Sequence, residues 1–232
     1  MTDPALRLVL FDCDGTLVDS QHAIVHAMET AFTRVGLALP PSSKVRAVIG
    51  LPLREAIARL IPPGSEHLTD PATDRYKEAF HALRQRPDHD EPLFPGIRGA
   101  IERIAATGAL LGIVTGKARR GLLATLGRHD LLDRFVTLHT ADDGPGKPAP
   151  DMVLRALDAT GVAAASTVVI GDTTFDMEMA GNARVGAIGV AWGYHPPARL
   201  KAAGAGVIVA MAAELPAAVD RVIAAGTDAA RL

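Results

Sequence analysis

Leu6-Arg7-Leu8-Val9-Leu10-Phe11 is apolar but for one Arg, and it breaks abruptly into Asp12-Cys13-Asp14-Gly15-Thr16. A run that short and that apolar reads as a strand buried on both faces of a parallel sheet. Two carboxylates stand where it ends, and ligands of open α/β sheets bind outside the carboxyl ends of strands. Asp12 and Asp14 are two apart, so an extended backbone points them the same way. Gly15 then allows a sharp turn.

Downstream the period becomes helical. Ile24, Met28, Ala31, Phe32 and Val35 recur at helical spacing within Asp19–Gly36. Ser42–Val48 and Pro52–Leu60 read as two short helices joined by Ile49-Gly50-Leu51-Pro52, and Thr69–Gln85 as a longer one after the Pro62-Pro63-Gly64 break. About 70 residues of helices thus separate the first strand from the next sheet element, where a crossover needs about a dozen. This predicts an inserted all-helical domain over 19–92, with the core built from 1–18 and 93–232. The return linker is Pro87-Asp88-His89-Asp90-Glu91-Pro92, a Pro- and charge-rich boundary.

The sheet then resumes. Strands are predicted at Ala109–Val114, Phe135–Leu138, Thr167–Gly171, Ala187–Ala191 and, as an edge, Val207–Val209. Helices are predicted at Ile97–Thr107, Ala118–Leu126 with Gly127 after it, Pro150–Leu157 with the proline in the first turn, from Phe175, and between Pro216 and Gly226. Strands alternating with helices give an α/β fold with a parallel sheet.

Three apolar runs end in a polar residue placed to act: Asp12, Thr115 and Asp172. In a parallel sheet those ends share one edge, so the three converge. Lys147 lies in the loop after a fourth strand. Each has a duller reading: Thr115 as a helix cap, Lys117 and Lys147 as solvated charges, Asp176 as an acid favouring a helix N-terminus. The joint placement of four acids and a Lys at successive strand ends favours chemistry.

Charge narrows the partners. Lys and Arg total 24 against 26 Asp and Glu, a net −2 with no basic stripe, so no nucleic-acid partner is predicted. The apolar runs are too short to span a bilayer, and the N-terminus shows no charged-then-apolar signal pattern, so no membrane association and a cytoplasmic location are expected. The single Cys13 fits a reducing compartment and reads as a small buried packing residue, with a redox switch as the alternative.

Asp12-Cys13-Asp14-Gly15-Thr16-Leu17-Val18-Asp19-Ser20 resembles the first motif of the haloacid dehalogenase superfamily in its phosphatase form, which carries the second Asp that dehalogenases lack. Val114-Thr115-Gly116-Lys117 resembles the second motif, Lys147-Pro148 the third and Gly171-Asp172-Thr173-Thr174-Phe175-Asp176 the fourth, in family order over about residues 6–195. The resemblance implies a Rossmann-like core with helices on both faces and a small helical cap after the first strand. It implies that Asp12 attacks phosphorus, that Asp14 protonates the leaving oxygen and then activates water, and that Thr115, Gly116 and Lys147 hold the phosphoryl group. It implies Mg²⁺ on Asp12, Asp172, Asp176 and the backbone carbonyl of Asp14. The chemistry is consistent with those types: a phosphate ester and Asp12 are both anions, so cations must stand between them. Asp14 must carry a proton at neutral pH, which a close carboxylate would promote.

The implied substrate is a small phosphorylated metabolite, phosphoglycolate-like or a sugar phosphate, with a phosphomutase of the β-phosphoglucomutase type as alternative and a receiver-like phospho-switch behind it. A monomer or homodimer is expected. In the cap, His22, Arg46 and Arg54 are candidates to reach substrate, Arg54 first. Lys44 and Lys77 stand in no setting recognised for a Schiff base.

Overall fold

The computed structural model describes residues 6–229; the ends of the predicted core, 1–5 and 230–232, lie outside the described residues. In chain order the elements are β1 Leu8–Phe11, α1 Gln21–Arg34, α2 Ser42–Arg46, α3 Leu53–Leu60, α4 Thr69–Arg84, α5 Ile97–Ala105, β2 Leu110–Val114, α6 Arg119–Arg128, β3 Thr137–His139, α7 Asp151–Thr160, β4 Thr167–Gly171, α8 Thr174–Asn182, β5 Gly186–Val190, α9 Pro197–Ala202, β6 Val207–Val209 and α10 Leu215–Ala229.

The strands form one sheet in the order β3-β2-β1-β4-β5-β6, all pairs parallel. β1 is central, and its four side chains are fully buried, two to each face. Val9 and Phe11 join a core with α5, α6 and α10, while Leu8 and Leu10 join one with α7, α8 and α9. Each such side chain contributes about 1.5–3 kcal/mol by burial. This is the α/β sheet with helices on both faces that the alternating pattern predicts. The strand order reverses at β1, which puts Asp12 at the topological switch point.

Helices α1–α4 enclose an apolar core of their own, including Met28, Phe32, Val45, Ile57, Ala72 and Phe80. Phe175 of α8 reaches up into it. The chain leaves and re-enters the sheet region side by side: Asp19 N–H donates to Pro92 O at 2.9 Å, Phe94 N–H to Leu17 O at 2.9 Å, and Val18 bridges Leu93 antiparallel.

Several boundaries differ from the sequence reading. Gly127 lies inside α6, because the left-handed residue that ends this helix is Asp130 at φ 51°, with Leu131 N–H returning to Leu126 O. Gly226 lies inside α10, where its missing Cβ lets the helix lie against Ala165 O. β3 starts two residues late, since Phe135 turns into the core edge-on to Phe11 at 6.2 Å. Pro150 is the N-cap of α7, which runs on to Thr160 and closes at Gly161, φ 68°. No helix among the described residues is long and apolar enough to cross a membrane.

Candidate active site

Asp12 leaves β1 with its N–H bonded to Ile170 O of β4, so it is still held by the sheet as its side chain enters the site. Asp172 follows β4 directly. Asp176 sits in the first turn of α8 and forms a reciprocal cap with Thr173, whose N–H and hydroxyl donate to Asp176 Oδ2 at 3.0 and 2.6 Å. Asp12, Asp172 and Asp176 each place an oxygen within 4.8 Å of the others, and all three are buried.

Lys147 completes this cluster. It is fully buried, with Nζ 2.8 Å from Asp12 Oδ1 and 2.6 Å from Asp176 Oδ1. It is therefore no solvated charge. Burial alone would lower its pKa, but Asp12 and Asp176 outweigh that and raise it. Burial pushes Asp12 up to about 6, against the charge of Lys147 and with that of Asp176. Burial first, then Asp176 and Asp12, push Asp172 well above the carboxylate range.

Asp172 is fixed by groups that sequence reasoning passed over. Thr16 Oγ1 donates to its Oδ1 at 2.8 Å, and the Tyr194 N–H to its Oδ2 at 2.9 Å. Gly15 and Gly193 close in on the same side chain, and a Cβ at either would overlap it. Asp12 Oδ2 remains buried without a hydrogen-bond partner. Three clustered carboxylates, only two of them paired with the one ammonium, and a free buried carboxylate oxygen suit a hard divalent cation with oxygen ligands.

Asp14 departs from expectation. Its carboxylate is not in the acidic cluster; it accepts from Lys117 Nζ at 2.7 Å. Burial would raise its pKa, but the charge and hydrogen bond of Lys117 win and hold it below the usual range. The predicted neighbour effect, a proton kept on Asp14 by Asp12, is thus overridden. Lys117 is itself buried and 3.3 Å from Glu91 Oε1, while Thr125 Oγ1 donates to Glu91 Oε2 at 2.9 Å. Glu91, which lies in the charge-rich return linker, is 3% exposed.

Thr115 is buried; its hydroxyl accepts from Lys117 N–H at 3.2 Å, and the N-cap position of α6 is Ala118, so Thr115 is not a helix cap. Thr115 and Gly116 line a pocket of about 550 Å³ together with Asp12 and Asp14. The turn at Gly50 presses on Gly116: a Cβ there would come within 2.7 Å of Gly50 O. Arg54 lines the same pocket, but its guanidinium is largely exposed and paired with Asp70 at 2.6 Å. His22 and Lys44 are exposed, Arg46 is half-buried, and Lys77 is exposed beside Asp74. Of the missed residues, only Thr173 carried a readable signal, the Thr-x-x-Asp spacing of a capping box.

Residues 9–190 match the Haloacid dehalogenase-like hydrolase family. A probable phosphatase IndB of Dickeya dadantii is 37% identical over 205 residues, covering 87% of this chain and 88% of that protein. A phosphoglycolate phosphatase of Nitrosococcus oceani is 30% identical over 82% of this chain and 85% of its own. A 5'-nucleotidase of Pseudomonas aeruginosa is 30% identical over 87% and 91%. A predicted phosphatase from Clostridium acetobutylicum shares the fold, with a TM-score of 0.82 at 23% identity over 94% of this chain and 99% of that one. The chain belongs to the haloacid dehalogenase-like hydrolase family. Within it the chain is an enzyme of the phosphatase class, a phosphoric monoester hydrolase.

Proposed function

We propose that this enzyme hydrolyses a small phosphorylated metabolite, phosphoglycolate-like or a sugar phosphate, through an aspartyl-phosphate on Asp12 and with Mg²⁺ as cofactor. The observation that carries the reading is the buried set Asp12, Asp172, Asp176 and Lys147 at the switch point of the sheet, with Asp14 two residues on. In this reading 19–92 is a cap domain over the core of 1–18 and 93–232, and the free, buried Cys13 supports work in the cytoplasm.

Asp12 is the nucleophile: one carboxylate oxygen forms a bond to phosphorus as the ester oxygen leaves. Lys147 offsets the negative charge of Asp12 and of the incoming phosphoryl group. Thr115 and the backbone at Gly116 orient that group from the pocket side. Asp14 supplies the proton to the leaving oxygen; held ionised by Lys117, it must first give up that bond and take up a proton from solvent. Asp14 then takes a proton from water, whose oxygen attacks phosphorus and frees Asp12. Asp12, Asp172 and Asp176 would hold Mg²⁺, which supplies Lewis-acid stabilisation of charge on the phosphoryl oxygens.

Phosphate release from a panel of metabolites that includes sugar phosphates, phosphoglycolate and nucleoside monophosphates tests the reading, run alongside Asp12→Asn. The folded variant is expected to be inactive on every member. Activity near wild type in Asp12→Asn would sink the mechanism.

A further inference from the structure

Five cationic side chains line the pocket that holds Asp12 and Asp14: Arg54, Lys77, Arg84, Lys117 and Arg120. Three have acidic partners: Arg54 has Asp70, Lys77 has Asp74, and Lys117 has Asp14 and Glu91. Among the described residues Arg84 and Arg120 have none. Arg84 ends α4 with its guanidinium 4.5 Å from the centre of the Phe80 ring, and its buried Nε has no hydrogen-bond partner. The same ring lies 5.5 Å from Lys117 Nζ, which places Arg84 beside the lysine that holds Asp14.

The fit on the other side is as close. Arg84 lies flat over the first turn of α6, where a Cβ at Gly121 would overlap its guanidinium. Arg120, the next residue back, extends to His81 Nε2 at 3.4 Å. His81 Nε2 also faces Gln85 Nε2 at 3.0 Å. The remaining pocket acid, Asp142, is engaged by the Arg119 N–H at 2.8 Å. Two arginines from different elements therefore line one pocket, and among the described residues neither is in an ion pair, although the charge of Arg84 helps hold Asp14 low. Such an arrangement is unfavourable by itself and is relieved by an anion, which guanidinium forks bind bidentately.

We infer that Arg84 and Arg120 form a second anion subsite in this pocket, so that the substrate is a phosphate monoester whose body carries a further carboxylate or phosphate. This rests on the phosphatase reading above and narrows its substrate. Phosphorylated compounds with a neutral body fill only the Asp12 end of the pocket. Those with a distal anion also engage the arginines and gain affinity without altering the chemistry at phosphorus.

The test uses phosphate monoesters of a series of ω-hydroxy acids of increasing chain length, each paired with its neutral amide. Leaving groups match within a pair, so the acid-to-amide ratio of kcat/KM reads the distal charge alone. A ratio of about tenfold or more is expected at the chain length that reaches the subsite. It should collapse towards one in Arg120→Gln, whose side chain is exposed, and in Arg84→Gln. Gly121→Ala should lower it too, by displacing Arg84 with no change of charge. A wild-type ratio near one at every length, with phosphate release measurable, overturns the inference. So do variants that slow acid and amide by the same factor, since the arginines would then serve the transferred group or the fold. Titration calorimetry of acid and amide needs no turnover: a retained affinity ratio without phosphate release would overturn the phosphatase reading and leave the subsite standing, and equal affinities would overturn the subsite.

Discussion

Lys117→Met is the most informative single perturbation of this molecule. The side chain is 5% exposed and stands between Asp14, at 2.7 Å, and Glu91, at 3.3 Å. Methionine keeps the volume and removes the charge, which leaves two buried carboxylates facing one another. Breaking a buried ion pair from one side costs about 3–5 kcal/mol. For a chain of this size each kcal/mol moves the melting temperature by about 2–4 °C, so a fall on the order of 10 °C is expected. Adding Glu91→Gln removes one of the stranded charges, and the double variant should recover about 1 kcal/mol or more relative to the additive sum. The dependence on pH has a definite sign. In the native protein Lys117 holds Asp14 below its ordinary value, so this stability is present at neutral pH and lost only as pH falls below the carboxylate range. In the variant the largest influences opposing burial are gone, with only the Ser20 hydrogen bond and the charge of Arg84 left, so Asp14 moves up and its charge destabilises as pH rises. The deficit against wild type should therefore shrink between about pH 7 and about pH 5. Thermal unfolding followed by circular dichroism reads all of this. A variant that melts within a degree or two of wild type, or a strictly additive double variant, would refute the buried clamp and return Lys117 to a solvated charge.

Chelation should abolish phosphate release and Mg²⁺ restore it, whereas Ca²⁺ should raise the melting temperature with little turnover, because it takes more ligands at longer distances and spoils the line of attack; equal turnover with both ions would contradict the role given to Asp12. Gly193→Ala places a Cβ into the Asp172 side chain and should cost about a hundredfold in kcat/KM while the protein still folds, as displacements of about an ångström do; unchanged kinetics would show that Asp172 has room to spare. Cys13 is fully buried, and burial pushes its thiol well above the ordinary value, so mass spectrometry should find it unalkylated in the native protein and alkylated after denaturation; rapid native labelling would revive the redox-switch reading.

The parts of the site legible in the sequence were those whose position follows from local pattern. Asp12, Thr115 and Asp172 each terminate an apolar run, and a parallel sheet brings run ends together whatever the intervening chain does. Lys117 and Glu91 were not legible, because their burial is decided by each other and by Thr125, residues that lie on separate segments and leave no periodic trace. Arg54 was the first of the cap candidates, yet its charge is taken by Asp70 one helix away. Glycine misled twice: Gly127 and Gly226 look like helix ends but sit inside helices, one followed by a non-glycine left-handed residue and the other serving close packing. The Thr137–His139 strand was misplaced because Phe135 carries the hydrophobicity of a strand while belonging to the core beneath it.

The paired segments at Leu17–Asp19 and Pro92–Phe94 have a consequence for how such a chain can change. Two backbone hydrogen bonds already hold the ends of the helical segment together, so the sheet meets everything between them as a single hairpin loop. Closing a loop costs little more as it lengthens. The segment that forms most of the pocket wall can therefore be shortened, lengthened or exchanged while Asp12 and Asp172 keep their places at the ends of β1 and β4. Reactivity sits on the strand ends, while selectivity is shared between this segment and Arg120 of α6.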